Sequence, residues 1–298
     1  MNAATFRNLA AYLHERFPPV NMALFAVVFG TVRAVALATG SGRAGWAWSW
    51  SETLGAAATV AFFFRLRVFD EIKDYAADCQ HHPQRVLQAG RVTLPQLQRL
   101  AWAGLALEAG WSASRGGAAL GAWALAVGYS LLMRYEFFRP AWLRARLVLY
   151  AASHLLIMPL VVLWIWTAYA GLRPAPALGL LALLSLLGGL AFEIARKIKV
   201  PGAERPGVDS YSRTLGYSGA LAAVLLVLAA GVVAQRQLLH VLHAPRWPLV
   251  VLAGLFGLTA AVYAACWRRP QPRLLKLGEL LVSLGMMASY GAVLVVSW

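Results

Sequence analysis

Charge is scarce in this chain, and negative charge is scarcest. Only 13% of the 298 residues are charged, and 12 Asp and Glu face 27 Lys and Arg, a formal net charge of +15. A soluble globular domain is about one quarter charged and half apolar. Here 60% of residues are hydrophobic and the mean hydropathy is +0.62, which excludes an ordinary soluble enzyme. Disorder is excluded too, because disordered chains are poor in apolar residues. Cysteine is almost missing. Cys79 and Cys266 stand far apart, which gives neither a disulfide framework nor metal-ligand spacing. The N-terminal stretch MNAATFRNLAAYLHERFPP lacks the apolar run of a cleavable signal and is expected to be an interfacial helix. Basic chains often bind nucleic acid, but this one has no recognition motif, and its cations lie between long apolar runs. No nucleic-acid partner is expected.

What is present is membrane-like. A bilayer core of about 30 Å needs roughly 20 apolar residues per helix. Nine segments qualify by eye: Val20–Thr39, Trp48–Phe69, Gln96–Trp111, Ala118–Met133, Leu143–Tyr169, Ala177–Phe192, Tyr217–Ala234, Pro248–Trp267 and Leu274–Trp298. The expected fold is all-α, an integral membrane bundle of nine transmembrane helices forming one domain over residues 1–298. Pro159 inside the fifth segment predicts a kink. With the N-terminus placed in the cytoplasm, 21 of the 27 basic residues fall on the cytoplasmic side. Only Arg33, Arg43, Arg115, Arg173, Arg236 and Arg246 stay outside. This asymmetry supports nine spans with the C-terminus outside. The expected location is an inner or plasma membrane, with the active site facing the cytoplasm.

The acids cluster after two spans. The second ends in RLRVFDEIKDYAAD, Arg65 to Asp78, and the sixth in LAFEIARKIKV, Leu190 to Val200. Aligning Glu71-Ile72 with Glu193-Ile194 suggests pseudo-repeat halves, 1–140 and 141–298. Substrate sites in repeat-built membrane proteins tend to lie between the halves. On a helix, Glu71, Asp74 and Asp78 share a stripe about 60° wide, with Arg67 on it and Asp70 at its edge. Like charges at this spacing repel. The stripe is either a polar helix end neutralised by Arg65, Arg67 and Lys73, or a site for a hard cation such as Mg²⁺ bridging to phosphate. Arg85 and Arg91, which follow around a glycine, suit a diphosphate held by metal and guanidinium together. His81-His82 reads as polar loop, since adjacent residues do not easily share a metal. Among intramembrane polar groups, Glu108 and Glu279 are expected to reach toward an interface. His154 is a satisfied buried group or an acceptor-side residue.

These residues and the topology resemble the UbiA superfamily of intramembrane prenyltransferases. The family motif N-D-x-x-D-x-x-x-D after the second helix is matched by Asp70-Glu71-x-x-Asp74-x-x-x-Asp78, and its R-P-L-x-x-G segment by Arg85-Val86-Leu87-x-x-Gly90. Tyr129 and Arg134 resemble a family Tyr and basic residue after helix four. The resemblance implies that Mg²⁺ on Asp70, Glu71, Asp74 and Asp78 holds a prenyl diphosphate. It also implies ionisation to an allylic cation in a dry chamber within the lipid bilayer, and capture by a lipophilic acceptor. Asp74, Asp78 and Lys197 are expected to carry the catalysis. Arg67, Lys73, Arg85, Tyr129, Arg134, Arg196, Lys197, Asp209 and Tyr211 are expected to bind substrate.

The chain departs from the family after the sixth helix. There FEIARKIKVPGAERPGVDSYSRTLG keeps one acid, Glu193, as a metal ligand, and the next positions on its face are Arg196 and Lys197. Lys197 would either pair with Glu193 at i+4 or contact phosphate. Asp209 and Tyr211 would either line the site or sit at a capped helix start. Two other readings stay open. One is a transferase that moves another diphosphate donor, such as phosphoribosyl diphosphate, to a polyprenyl phosphate. The other is a non-enzymatic transporter, although carriers usually bind near mid-membrane.

Overall fold

The computed structural model of the chain describes residues 3–41, 48–204 and 209–297. Arg43, Arg205 and Trp298, part of the topology argument above, lie outside the described residues. Helices run the length of the chain, and no strand occurs among the described residues. In order they are α1 (Ala3–Arg16), α2 (Pro19–Ser41), α3 (Trp50–His81), α4 (Leu94–Ser114), α5 (Gly117–Arg134), α6 (Pro140–Arg144), α7 (Leu147–Leu155), α8 (Ile157–Ala170), α9 (Pro176–Arg196), α10 (Tyr211–Leu215), α11 (Tyr217–Val241), α12 (Trp247–Arg268) and α13 (Pro272–Ser297). The nine expected segments are largely helical over their described residues, the fifth being interrupted at residues 145–146 and at Leu156. Seven stretches are long and apolar enough to cross a membrane, with α7 and α8 counted as one. The other two, α3 and α4, carry charges within their length.

Local chemistry sets the boundaries. Proline opens α2, α9 and α13 at their first residue, where its missing N–H costs nothing. Ser49 caps α3, accepting from the Ser51 N–H at 3.1 Å, while Glu52 accepts from the Ser49 N–H at 2.9 Å. This capping box starts a helix that does not stop at the membrane edge expected near Phe69 but continues to His81. The kink expected at Pro159 appears as the break between α7 and α8 at Leu156. Pro159 has no N–H for the Leu155 carbonyl four residues back, and its ring crowds that carbonyl.

The bundle is held by close packing, since lipid tails are as apolar as leucine. α3 packs on α4 and α2, α5 on α8, α9 on α8, α11 and α13, and α13 on α12 and α2. Gly55 on α3 admits Phe29 and Trp111; a Cβ there would lie 2.5 Å from the Phe29 ring and 2.6 Å from Trp111.

One buried polar network corrects the sequence reading. Glu108 does not reach an interface: it is fully buried. Arg65 Nε and Nη2 donate to it at 3.3 and 3.0 Å, Trp123 Nε1 donates at 3.1 Å, and Arg65 Nη1 donates to Ser130 at 2.9 Å. Arg65, read above as neutralising a polar helix end on the cytoplasmic side, is therefore an internal residue joining α3, α4 and α5. Glu279 is half-buried. Cys79 and Cys266 are free.

Candidate active site

The extension of α3 past the apolar segment and the end of α9 meet over a cavity of about 380 Å³. α3 contributes Arg67, Phe69, Asp70, Lys73 and Asp74; α9 contributes Glu193 and Arg196, and Lys197 follows at its C-cap. α5 adds Ser130, Met133 and Arg134, α7 adds Tyr150, Ala151, His154 and Leu155, and α1 adds Arg16. The charged side chains are six basic and three acidic. The two similar sequence stretches therefore face one space, and its charge is net positive.

The acidic stripe on α3 is divided between two faces. Asp70 and Asp74, four residues apart, line the cavity. Asp70 pairs with Lys73 at 2.9 Å. Burial raises the pKa of Asp74, and the like charges of Asp70 and Asp78 add to the rise against Lys73 and Arg144. Burial alone would lower the Lys73 pKa, but Asp70, Tyr150 and Asp74 reverse this to a net rise.

Glu71 and Asp78, seven residues apart, turn toward α1. Glu71 is 1% exposed, and its Oε1 accepts from Arg16 Nε at 2.7 Å, from Arg67 Nη2 at 2.7 Å and from Tyr12 at 3.4 Å. Burial raises its pKa, and Arg16 offsets only part of the rise. Asp78 accepts from Arg85 Nη1 at 2.6 Å and from Arg16 Nη2 at 3.4 Å. Arg85 is thus committed to Asp78 and does not line the cavity.

Glu193 is held by its own helix. Arg196 chelates it with two nitrogens, and Lys197 Nζ lies 2.8 Å from its Oε1. The two acids aligned in sequence, Glu71 and Glu193, each accept from two basic side chains. No group of three His, Cys, Asp or Glu gathers in metal-binding geometry among the described residues. Of the five expected metal ligands, Asp70 and Asp74 remain turned to the cavity together. Glu71 and Asp78 turn away to basic partners, Glu193 lines the cavity but is paired with Arg196 and Lys197, and Asp70 is itself paired with Lys73.

The remaining expected residues divide similarly. Arg134 lines the cavity, its guanidinium stacked 5.0 Å from the Phe69 ring centre. Tyr129 points elsewhere, its hydroxyl donating to the Ser153 carbonyl at 2.7 Å. Asp209 is exposed, and Ser210 rather than Asp209 caps α10, accepting from the Arg213 N–H. Tyr211 is buried beneath the end of α9, where its N–H donates to the Lys197 carbonyl at 3.2 Å. Burial first, and Glu193 second, push its pKa up to about 12. His81 Nδ1 donates to the Ala77 carbonyl at 2.8 Å.

Three cavity features have no motif in the sequence. Arg16 arrives from α1, 55 residues before its partner Glu71. Tyr150 stacks on His154 with ring centres 4.0 Å apart. His154 Nδ1 lies 2.8 Å from the Tyr150 carbonyl, which can only accept. The proton therefore sits on Nδ1, and Nε2 keeps a lone pair; that atom is buried and has no partner. Beside it, Glu136, Phe137 and Phe138 form a left-handed turn, φ 47°, 53° and 58°, a conformation costing about 1–2 kcal/mol per residue. Arg144 clamps Glu136 through two carboxylate oxygens at 2.7–3.0 Å. Phe137 packs edge-on to both Tyr129 and His154.

No protein-family model matches the chain, and no curated protein matches it in sequence. Solved structures do match. An apo UbiA homologue from Aeropyrum pernix K1 superposes with a TM-score of 0.66 at 21% identity, over 93% of this chain and 98% of that one. A digeranylgeranylglyceryl phosphate synthase gives 0.63 at 17%, over 98% and 99%. A UbiA homologue from Archaeoglobus fulgidus, bound to GPP and Mg²⁺, gives 0.56 at 16%, over 96% and 100%. These matches run end to end on both sides, and at such identities they establish architecture: the chain has the fold of the solved UbiA homologues.

Proposed function

We propose that this protein is an intramembrane prenyltransferase. It would take a prenyl diphosphate into the cavity between α3 and α9 and transfer the prenyl group to a lipophilic acceptor. The observation that carries this reading is the cavity's composition. Six basic and three acidic side chains stand at one end of a bundle whose interior is apolar and aromatic, which suits a polyanionic head with a hydrocarbon tail. The Archaeoglobus homologue of the same fold was solved with GPP, and separately with DMAPP, each with Mg²⁺.

Mg²⁺ fits the residues present. It is usually bound by one or two carboxylates and substrate phosphates rather than by a full protein cage. Asp74, whose charge burial and neighbouring acids disfavour, would hold it with Asp70. When bound, the ion would neutralise charge on the departing diphosphate. Arg67, Lys73, Arg134 and Lys197 would bind the same group from the protein side. The bond between prenyl C1 and the diphosphate oxygen breaks with its electron pair leaving on that oxygen. The acceptor's nucleophilic atom then supplies a pair to C1. Phe69, Met133, Ala151 and Leu155 exclude water from the allylic cation. His154 Nε2, with its free lone pair, would take the acceptor's proton.

The full topology belongs to this proposal: nine spans with α3 and α4 included, N-terminus cytoplasmic, C-terminus outside, and the site facing the cytoplasm of an inner or plasma membrane. So do the two pseudo-repeat halves, whose equivalent helices α3 and α9 would flank the substrate.

The test is turnover of labelled geranyl, farnesyl and geranylgeranyl diphosphates by the purified protein, with extracted native lipids as acceptors. Mg²⁺-dependent product that disappears in Asp74→Ala supports the proposal. No product, or an Asp74→Ala variant equal to wild type, refutes it. Competition by phosphoribosyl diphosphate would favour that donor instead.

A further inference from the structure

A second charged cavity lies at the opposite end of the bundle. α11 starts at Tyr217, near the end of α9, packs on α9 and is 25 residues long, about 37 Å at 1.5 Å per residue. Its far end is therefore remote from Asp74. There the turn from α11 to α12 borders a cavity of about 490 Å³. Four basic or imidazole side chains line it: Arg236 and His240, one helical turn apart on α11, His243 in the turn, and Arg246 at the start of α12. No Asp or Glu lines it.

The sequence gives these side chains no local compensation. Of the basic residues expected outside, Arg33 has Glu52 beside it at 3.9 Å, and Arg115 donates to the Ala168 carbonyl at 3.1 Å. The side chains of Arg236, His240, His243 and Arg246 make no hydrogen bond or ion pair among the described residues. Two guanidinium charges lining one cavity repel, and the N-terminus of α12, a helix of 22 residues, adds positive potential to the same place. The turn itself adds strain. The His243 N–H donates to His240 O and the Ala244 N–H to Leu239 O, with His243 at φ 50°, the left-handed position that glycine fills without strain. Below the cations, α12 turns Trp247, Val250 and Val251 outward. This gives an interfacial aromatic with apolar surface beneath it.

We propose that this cavity is a phosphate-binding site, filled by the phosphodiester of a membrane phospholipid or by free phosphate. Two guanidiniums can engage phosphate oxygens in pairs, two imidazoles add donors, and the apolar face of α12 suits an acyl chain. The site is independent of the prenyltransferase proposal and stands or falls without it.

The full-length protein is reconstituted in nanodiscs of phosphatidylcholine with or without phosphatidylglycerol, and retained lipids are counted by native mass spectrometry. In parallel, inorganic phosphate is titrated against the detergent-solubilised protein and the melting temperature followed. Phosphatidylglycerol retained over phosphatidylcholine identifies a lipid headgroup; stabilisation by phosphate alone identifies the free anion. In either case Arg236→Gln/Arg246→Gln should weaken binding roughly tenfold or more, the loss expected for hydrogen bonds to a charged group. His243→Gly, which relieves the turn and keeps both arginines, should weaken it less. Preference for neither probe, or a preference unchanged in the double variant, overturns the proposal.

Discussion

Replacing Glu108 with leucine is expected to destabilise the protein more than losing its hydrogen bonds alone would. Glu108 is fully buried and Arg65 is 3% exposed. The substitution removes both Arg65 bonds to the carboxylate and leaves the guanidinium with the Ser130 hydroxyl. Hydrogen bonds between transmembrane helices average about 0.6 kcal/mol. Breaking a buried ion pair from one side costs about 3–5 kcal/mol, because the surviving charge is uncompensated. The second effect dominates. Arg65→Met/Glu108→Leu, which removes both charges and fills the space with hydrocarbon, should recover most of that loss. The assay is unfolding of the purified protein in mixed detergent, followed by tryptophan fluorescence. Arg65 lies on the helix that carries Asp70 and Asp74, so the single variant should also need more Mg²⁺ for half-maximal activity. A single variant losing less than about 1 kcal/mol, or a double variant no better than the sum of its singles, would refute the assignment of this pair as a buried, charge-dominated contact.

Other predictions concern the cavity. Asp74 has a raised pKa, so protonation should compete with Mg²⁺ above the ordinary aspartate value of about 3.9, placing the acid limb of turnover above that pH. Asp78→Asn removes a like charge that helps raise this pKa, so the limb should move to lower pH; a limb that moves up contradicts the electrostatics. A carboxyl whose pKa is raised on folding favours the folded state at low pH. Without Mg²⁺, melting temperature should therefore fall as pH rises through the elevated values of Asp74 and Glu71. Arg16→Met leaves the buried Glu71 to Arg67 and should cost about 1–3 kcal/mol in stability; a raised KM for the prenyl diphosphate would show that Arg16 also meets substrate. Glu193→Gln frees Arg196 and Lys197. If Glu193 restrains cations, the KM for the donor should fall with Mg²⁺ dependence unchanged; if it is a metal ligand, the Mg²⁺ requirement should rise.

The fold was legible because its determinants are local. Apolar run length marks all nine helical segments, and prolines mark several starts. Pro159 marks the α7–α8 break, which depends on one missing N–H. The end of α3 was not legible from hydropathy. Hydropathy drops at Asp70, but a helix needs only its backbone bonds and a partner for its polar face, and α1 supplies that partner through Arg16. Glu108 was misjudged for the same reason. An acid near the end of a short apolar segment looks interfacial when read alone, whereas its position is set by Arg65 from another helix.

The site shows the same boundary between local and distant information. Angular arithmetic places Glu71, Asp74 and Asp78 within one stripe of α3, but the structure splits them, Asp74 toward the cavity and Glu71 and Asp78 toward α1, because the arithmetic cannot say which of them has a cation waiting. Arg16 and Arg85 take Glu71 and Asp78, while Asp74 faces the cavity beside Asp70. After α9, by contrast, the decisive contacts are local. Arg196 and Lys197 stand three and four residues from Glu193, the spacing at which helical side chains meet. The basic substitutions that made the second acidic motif look degraded therefore have a direct structural consequence: they bind the remaining acid and still face the cavity. Arg196 and Lys197 share one space with the Asp70–Asp74 pair, and Arg67 and Lys73 stand on the α3 wall beside that pair. A polyanion entering it would meet fixed positive charge on the α9 side and a carboxylate pair suited to a metal on the α3 side.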